Sequence, residues 1–318
     1  MINLQELNVF IEAALAQNFS VAARRLYLSQ PAVSLRISNL EKQFGLELFR
    51  RNGRSIQLSA AGQVLLPLAQ EAMRHVKQIE ETMGSLKGVL IGELAIACST
   101  TIGKYVLPRL VAGFRRRHPE VRVTVNTMSR RAAIDWLQAG RAAMAVVSAR
   151  LDHVAELEYQ DFLEDEIILI APADHPWADG RTVAPSDLLN VPFILREPTA
   201  SSYEVLLEGL NQHGLDIGRL RVALTLTNAE AIEMSVEAGI GVAFISRMAA
   251  ERGLALGRIV RVPVAEMSLA RRIYMVRNTR HTITPLGQAF WSFVLAEEHE
   301  ELRQLSDAMQ AQAGAAVP

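Results

Sequence analysis

Apolar positions along this chain repeat with more than one period, and each change of period marks a change of structure. Near the N-terminus an amphipathic helix contains Leu4, Leu7, Val9, Phe10 and Ala14. Val33, Ile37, Leu40 and Phe44 follow the i, i+4, i+7, i+11 spacing of a single buried stripe on a second helix. Leu65, Ala69, Ala72, Val76, Ile79, Met83 and Leu86 then alternate steps of four and three, the period of a coiled-coil seam. From Gly92 short apolar runs take over: ELAIAC, VRVTVNT, AMAVVS, EIILIAP, FILR, RVALTLT, VAFIS, IVRVPV and RRIYMV. Helical stretches at 104–117, 130–139, 202–212, 229–238 and 247–252 lie between many of them. That alternation predicts mostly parallel sheets covered by helices. The fold class expected is a mainly-α N-terminal part, a long linker helix and a C-terminal α/β part.

Residues 19 to 62 carry the most specific local signals. A short helix with Ala22, Ala23 and Leu26 inside runs into a four-residue turn. The next helix starts at Ser29, whose hydroxyl can cap it, with Pro31 in the first turn where its missing N–H costs nothing. Two short helices joined by a tight turn make a helix-turn-helix. Opposite its buried stripe the second helix presents Pro31, Leu35, Ser38 and Lys42, with Gln30 and Ser34 on one flank and Arg36 on the other. A leucine there needs an apolar partner, and a thymine methyl in the major groove supplies one. Gln pairs with adenine, and Ser bonds several base edges or a phosphate.

After Gly45 the chain reads LELFRR, then Asn52-Gly53, then RSIQLS. Asn-Gly between strand-like runs predicts a tight hairpin. Arg50, Arg51 and Arg54 cluster about it, as expected of a wing laid on the phosphate backbone. Residues 20–54 hold seven Lys/Arg against two Asp/Glu, in a chain of net charge −1. Positive charge concentrated there gives salt-dependent DNA affinity. Ser59 begins the linker helix, which runs to about Leu86 and carries Pro67 inside it, where a kink or shift is expected. Its seam predicts a dimer through Leu65, Ala69, Ala72, Val76 and Ile79. Two recognition helices on a dimer imply a pseudo-palindromic site with half-sites a DNA turn, or a multiple of it, apart.

At this point the chain resembles the LysR-type transcriptional regulators of bacteria. Ala22-Ala23, Leu26, Ser29-Gln30, Ser34, Ile37, Leu40-Glu41, Gly45, Leu48-Phe49, Arg51 and Ala61-Gly62 all match the family's winged helix-turn-helix signature. The resemblance implies that Gln30, Pro31, Ser34 and the neighbouring face meet double-stranded DNA, that the wing arginines meet phosphates, and that dimers pair into homotetramers. RNA polymerase is a further partner it suggests. It also implies that the C-terminal part is two Rossmann-like subdomains resembling a periplasmic binding protein. The chain would cross between them near Leu163 and Met267. The expected division is 1–58 winged helix-turn-helix, 59–88 dimerisation helix and 89–306 effector-binding domain, with a frayed tail at 307–318. Within the effector-binding domain, subdomain 1 is about 89–163 and 268–306 and subdomain 2 about 164–267. A final helix from about Pro285 returns to subdomain 1.

In such folds ligands sit at the carboxyl ends of strands, where helix N-termini attract anions. Strand ends here are followed by Ser99, Thr100 and Thr101; by Thr127 and Ser129; by Ser148; by Thr199 and Ser201; and by Asn228. With Arg196 these are the expected effector contacts. Hydroxyls and backbone N–H groups suit a small carboxylate, sulfate or phosphate-bearing metabolite, and no other cofactor is expected. Two departures stand out. Family members often carry Leu-Asp-Leu-Ala where this chain has Ala142-Ala143-Met144-Ala145. Relatives that grip anions sometimes place an arginine soon after the Ser/Thr loop, where this chain has Ser202-Tyr203-Glu204.

Composition bounds the alternatives. At 318 residues, half of them hydrophobic, the chain has material for two or three compact units. The single cysteine, Cys98, excludes an internal disulfide and a Cys-rich zinc site and reads as a buried thiol in LAIAC. No secretory signal and no long apolar run is present, so a soluble cytoplasmic protein without membrane contact is expected. Gly239-Ile240-Gly241 follows a helix and precedes a strand, the reverse of a dinucleotide loop. The histidines show no zinc-protease spacing, and neither a metal site nor an enzyme activity is expected. The acidic run Asp161, Glu164, Asp165, Glu166 reads as a solvated turn before a buried strand. The competing reading is a cytoplasmic solute-binding or transport-related protein without a regulatory role, which the DNA-binding segment disfavours.

Overall fold

The computed structural model describes residues 2–52, 55–151, 154, 156–280 and 283–296, with the side chains of Arg51, Asn52 and Ser55 left out. Two units emerge. The first is the chain to Gly92 with Gln138–Arg141 and Thr284–Leu286; the second is Glu93–Leu137, Ala142–Ile283 and the residues from Gly287 onward.

In the first unit, α1 (Leu4–Ala16), α2 (Phe19–Arg25) and α3 (Gln30–Phe44) each begin at a polar cap. The Asn3 side chain accepts from the Gln5 N–H, Asn18 accepts from Ser20 and Val21, and Ser29 accepts from Ala32. These caps satisfy donors that a helix start leaves without partners. The helices close on a core in which Phe10, Ala13, Ala22, Val33 and Leu40 are fully buried. Gly45 ends α3 at φ 67°, in the left-handed region that glycine tolerates best. Glu41, one turn earlier, accepts from the Leu48 N–H at 2.8 Å and the Phe49 N–H at 3.3 Å, tying α3 to the hairpin.

That hairpin pairs β1 (Phe49–Asn52) with β2 (Ser55–Leu58), and its register sets Asn52 opposite Ser55. Asn52 is therefore a strand residue, one position away from the turn role expected of it, because closing the ladder on Ser55 leaves only positions 53 and 54 between the strands. Gly53 and Arg54 lie outside the described residues.

Ser59 caps α4 (Ala60–Ser85) through the Gly62 N–H at 3.0 Å, and its hydroxyl donates to the Glu47 carbonyl at 2.5 Å. Gly62 fits because a Cβ there would strike the Leu48 carbonyl. The helix passes Pro67 without a break. Leu65, Ala69 and Ala72 are turned into the unit's own core, so this part of the expected seam is already occupied. The exposed apolar residues of α4 instead include Val64, Leu68, Ile79 and Met83, followed by Leu86 just past its end.

The second unit runs β3 (Gly92–Cys98), α5 (Thr100–Tyr105), α6 (Leu107–Arg117), β4 (Val121–Thr127), α7 (Arg130–Gln138), β5 (Met144–Val147) and β6 (Leu157–Pro172). It continues with β7 (Pro192–Arg196), α8 (Ser201–Gln212), β8 (Arg221–Leu226), α9 (Ala229–Glu237), β9 (Ala243–Ser246), α10 (Arg247–Ala255), β10 (Ile259–Val262), β11 (Leu269–Asn278) and α11 (Pro285–Leu295). The helix expected over 104–117 is two, divided before Leu107, with a proline in the first turn of the second. Strand order in the main sheet is β10-β6-β11-β5-β3-β4, with β9 also on β6, while β7 and β8 form a parallel pair. β3 and β5 are parallel. The spine is antiparallel, however: β6 pairs with β11, β10 and β9, and β11 with β5, in antiparallel fashion.

The long strands β6 and β11 join the two halves of this unit. Val276, late in β11, shares a core with Ala97, Ile134 and Val147. Leu269, at its start, belongs to a different core with Ile167, Phe193 and Phe244. Leu163 pairs with Ile273, next to a register shift at Ile273/Tyr274, and Met267 lies just ahead of β11. Phe290 of α11 packs edge-on against Phe114 of α6, centroids 5.0 Å apart, returning the chain to the first half. β6 begins well before EIILIAP and takes the whole acidic run into a strand. The expectation of a solvated turn there is wrong: Asp165 is buried, because an arginine lies opposite it.

Candidate functional site

Two sets of side chains stand out, one in each unit. On α3 the face opposite the core leaves Ser29, Gln30, Pro31 and Leu35 exposed, with Leu35 at 61%. Ser34 and Ser38 are half-buried on its flanks. Gln30 Nε2 donates to Ser34 Oγ at 2.8 Å, so the amide is held along the helix with its oxygen free to accept. Arg36 is half-buried and donates to Gln5 Oε1 at 3.1 Å, which draws it toward α1. Arg50 is exposed on β1. Arg51 is a strand residue whose side chain is not described, and Arg54 lies outside the described residues. Sequence reasoning passed over Tyr27, which is 97% exposed at positive φ in the turn before α3. An apolar–polar pattern cannot single out a lone aromatic in a turn.

In the second unit, strand ends and helix starts converge on a cavity of about 160 Å³. That is room for about five waters, or a small metabolite. Ser99, Thr100, Thr101, Ser129, Ser148, Arg196, Thr199 and Ser201 line it, eight of the ten residues expected. Thr127 and Asn228 do not, although their neighbours Met128 and Thr227 do. Asn228 is committed elsewhere, capping α9 through the N–H groups of Glu230 and Ala231. Thr127 packs its methyl against Gly103 of α5. Ser129 caps α7 at 3.4 Å as well as facing the cavity. Ser99 Oγ is buried and has no hydrogen-bond partner.

Three charged wall residues were not expected: Arg130, Glu197 and Arg271. Arg130 forks onto both oxygens of Glu204 at 3.0 Å, from α7 to α8. Arg196 does the same with Glu197, at 2.8 and 2.9 Å. Arg271 is 8% exposed and pairs with Asp165, at 0%, with Nη2 2.7 Å from Oδ2. It also donates to Ser201 Oγ and, at 3.4 Å, to Thr101 Oγ1. Ser246 Oγ donates to the other Asp165 oxygen at 2.6 Å. Each arginine thus has a carboxylate, and the wall carries fixed guanidinium donors without an uncompensated cation.

The two halves of the unit are tied beside the cavity. Ser148 and Ser201 bridge at 2.6 Å. Behind α5, Lys104 Nζ lies 2.7 Å from Glu230 Oε1 on α9, and the Tyr105 hydroxyl donates to the same oxygen at 2.6 Å. Burial and the neighbouring Glu230 push the Tyr105 phenol well above its ordinary range. Burial pushes the Glu230 carboxyl up, but the hydrogen bonds from Lys104 and Tyr105 outweigh it and leave it below its ordinary value. No described helix is long and apolar enough to cross a membrane.

Comparison with known proteins agrees with this division. Residues 87–298 match the family model described as LysR substrate binding domain, and residues 4–63 match the bacterial regulatory helix-turn-helix protein, lysR family. The chain is 34% identical over 278 residues to a probable RuBisCO transcriptional regulator of Cyanidioschyzon merolae, covering 86% of this chain and 91% of that one. Among solved structures, a full-length OxyR variant from Pseudomonas aeruginosa matches with TM-score 0.69 at 21% identity, covering 92% of this chain and 94% of that one. The regulatory domain of Synechocystis CcmR in complex with 2-PG matches with TM-score 0.59 at 25% identity, covering 64% of this chain and 96% of that one.

Proposed function

The chain belongs to the LysR family of DNA-binding transcriptional regulators, and from that premise we propose that it binds a pseudo-palindromic promoter site as a dimer of dimers and responds to a small anionic metabolite held in the cavity of its α/β unit. The observation that carries the effector reading is the cavity wall itself. The Arg271 guanidinium donates to the hydroxyls of Thr101 and Ser201, Ser201 is bonded to Ser148, and Ser99 lines the same wall. Donors of this kind suit an oxyanion. The similar CcmR domain was solved with 2-PG bound, which supports a small ligand of this size.

The DNA side rests on α3 and the hairpin. Gln30 and Leu35 offer an amide and an apolar patch to base edges, and Arg50 offers charge to phosphate. For dimerisation, the exposed row Val64, Leu68, Ile79, Met83 and Leu86 replaces the inward-facing Leu65, Ala69 and Ala72. Effector binding changes DNA geometry only if it prefers one arrangement of the protein over another, and a coupling of about 1–3 kcal/mol is typical.

The test is footprinting on the DNA upstream of the protein's own gene, with small anions titrated in. A footprint that shifts with one anion, and loses that shift in the Thr100→Val, Ser201→Ala variant, supports the reading. An unaltered shift in the variant moves the effector site elsewhere.

A further inference from the structure

We propose that Arg271 sets the chemical selectivity of the cavity by polarising its hydroxyls, so that the inner wall takes an oxyanion headgroup carrying no proton of its own. This rests on the reading of the cavity as the effector site.

A guanidinium has five donors and no acceptor. Ser201 Oγ and Thr101 Oγ1 must therefore accept from Arg271. Ser148 and Ser201 lie 2.6 Å apart and share one hydrogen. Two hydroxyls bring two protons, and one is spent between them. Whichever way that bond runs, one proton is left over, and among the described residues no hydrogen bond takes it. Thr101 is left with its own proton by the same reasoning. Thr101 and Ser148 are buried and Ser201 is half-buried, so bulk water is a poor substitute for an acceptor. Ser99 Oγ, buried without a partner, stands on the same wall.

The acceptors nearby are already engaged. Asp165 receives Arg271 on one oxygen and Ser246 on the other. Glu197 and Glu204 are each forked by an arginine. A ligand oxygen without a proton can satisfy the spare donors. A ligand hydroxyl pointed at Ser201, whose oxygen already accepts from Arg271 and Ser148, would set donor against donor and leave one of them unsatisfied. Sites that match hydrogen-bond polarity reject mismatched groups far more strongly than sites that match shape alone.

The experiment compares sulfate with inorganic phosphate by calorimetric titration of the full-length protein at constant ionic strength. At about pH 6 phosphate still carries hydroxyl protons and sulfate carries none. Sulfate is expected to bind tighter by about tenfold or more, the size of one unsatisfied hydrogen bond. Raising the pH to about 8 removes a proton from phosphate, so the sulfate preference is expected to narrow. The paired variant Asp165→Asn, Arg271→Gln replaces a one-way donor with amides that donate and accept. Its preference is expected to fall to about one, with thermal unfolding showing that it remains folded. Should it not fold, the pH series on the unaltered protein decides alone. Binding of both ions without preference, or a preference that does not narrow with pH, overturns the proposal while the effector site stands. Binding of neither ion overturns the effector-site reading and this proposal together.

Discussion

Arg271 on β11 and Asp165 on β6 are direct cross-strand partners, and the register that pairs them also sets the guanidinium against the cavity wall. Both side chains are essentially out of water. Removing one partner of a buried pair leaves an uncompensated charge and costs about 3–5 kcal/mol. Arg271→Ala is accordingly expected to lower the urea midpoint strongly, and Asp165→Asn added to it should restore more than half of the loss. Equal instability of the single and double variants would mean that the pair is not what holds β6 to β11.

Glu204 occupies Arg130 at the cavity, and both side chains are partly exposed. Exposed pairs contribute only about 0–1 kcal/mol, so breaking this one is not expected to unfold the protein. Glu204→Gln frees the Arg130 fork for a ligand, and the affinity for sulfate should rise about threefold. Arg130→Gln should weaken it. Titration of the two variants in parallel separates a competing carboxylate from a neutral rim.

Much of this arrangement was legible in the sequence, and the exceptions share a cause. Periodicity exposed α3 through Val33, Ile37 and Leu40, because the buried stripe and the caps at Ser29 and Gly45 agree. Eight cavity residues were found because hydroxyls after strand ends follow chain order. Asp165 and Arg271 were not found because they meet only through long-range strand pairing, 106 positions apart in sequence. Each looks solvated within its own segment. On α4 three residues of the expected seam, Leu65, Ala69 and Ala72, face the unit's own core for a related reason. A helix with apolar residues on more than one side supports more than one seam, and the choice lies with the core of α1 to α3, which claims Leu65, Ala69 and Ala72.

Gln30 is held by Ser34, so the two should act together on sequence reading. Gln30→Ala is expected to cost about 1–3 kcal/mol on the operator and little on random DNA. Ser34→Ala should show a smaller loss of the same kind. Arg50→Ala should weaken both and reduce the salt slope by about 0.9. Binding isotherms across a salt series resolve these effects; equal losses on both DNAs for Gln30→Ala would remove it from base contact.

Ile79 and Met83 are exposed four residues apart on α4, with a shallow apolar hollow between them. Aspartate at both places puts charge into the expected dimer contact, where desolvation and like charges both oppose association. Sedimentation of the double variant should show a marked loss of dimer. Replacing Ala69 with aspartate should instead unfold the first unit, since Ala69 lies in its core. The pair of outcomes distinguishes the outer seam from the inner one.

Cys98 ends β3 in a fully buried position, with its sulfur 3.8 Å from the Asn126 carbonyl. Burial pushes its thiol up to about 12. The folded state therefore keeps a proton that the unfolded chain releases near its ordinary pKa of about 8.5. Below that pH the two states are protonated alike and the thiol's contribution to stability is fully present. Above it, unfolding releases a proton, and stability falls by about 1.4 kcal/mol per pH unit until the folded thiol itself ionises near 12. Cys98→Ala should lose some stability at neutral pH through the smaller side chain, yet decline less steeply between about pH 9 and 11. Urea titrations at several alkaline pH values measure the two slopes. Parallel slopes would show that Cys98 ionises as freely in the folded protein as in the unfolded chain, and thiol reagents would then label it without unfolding.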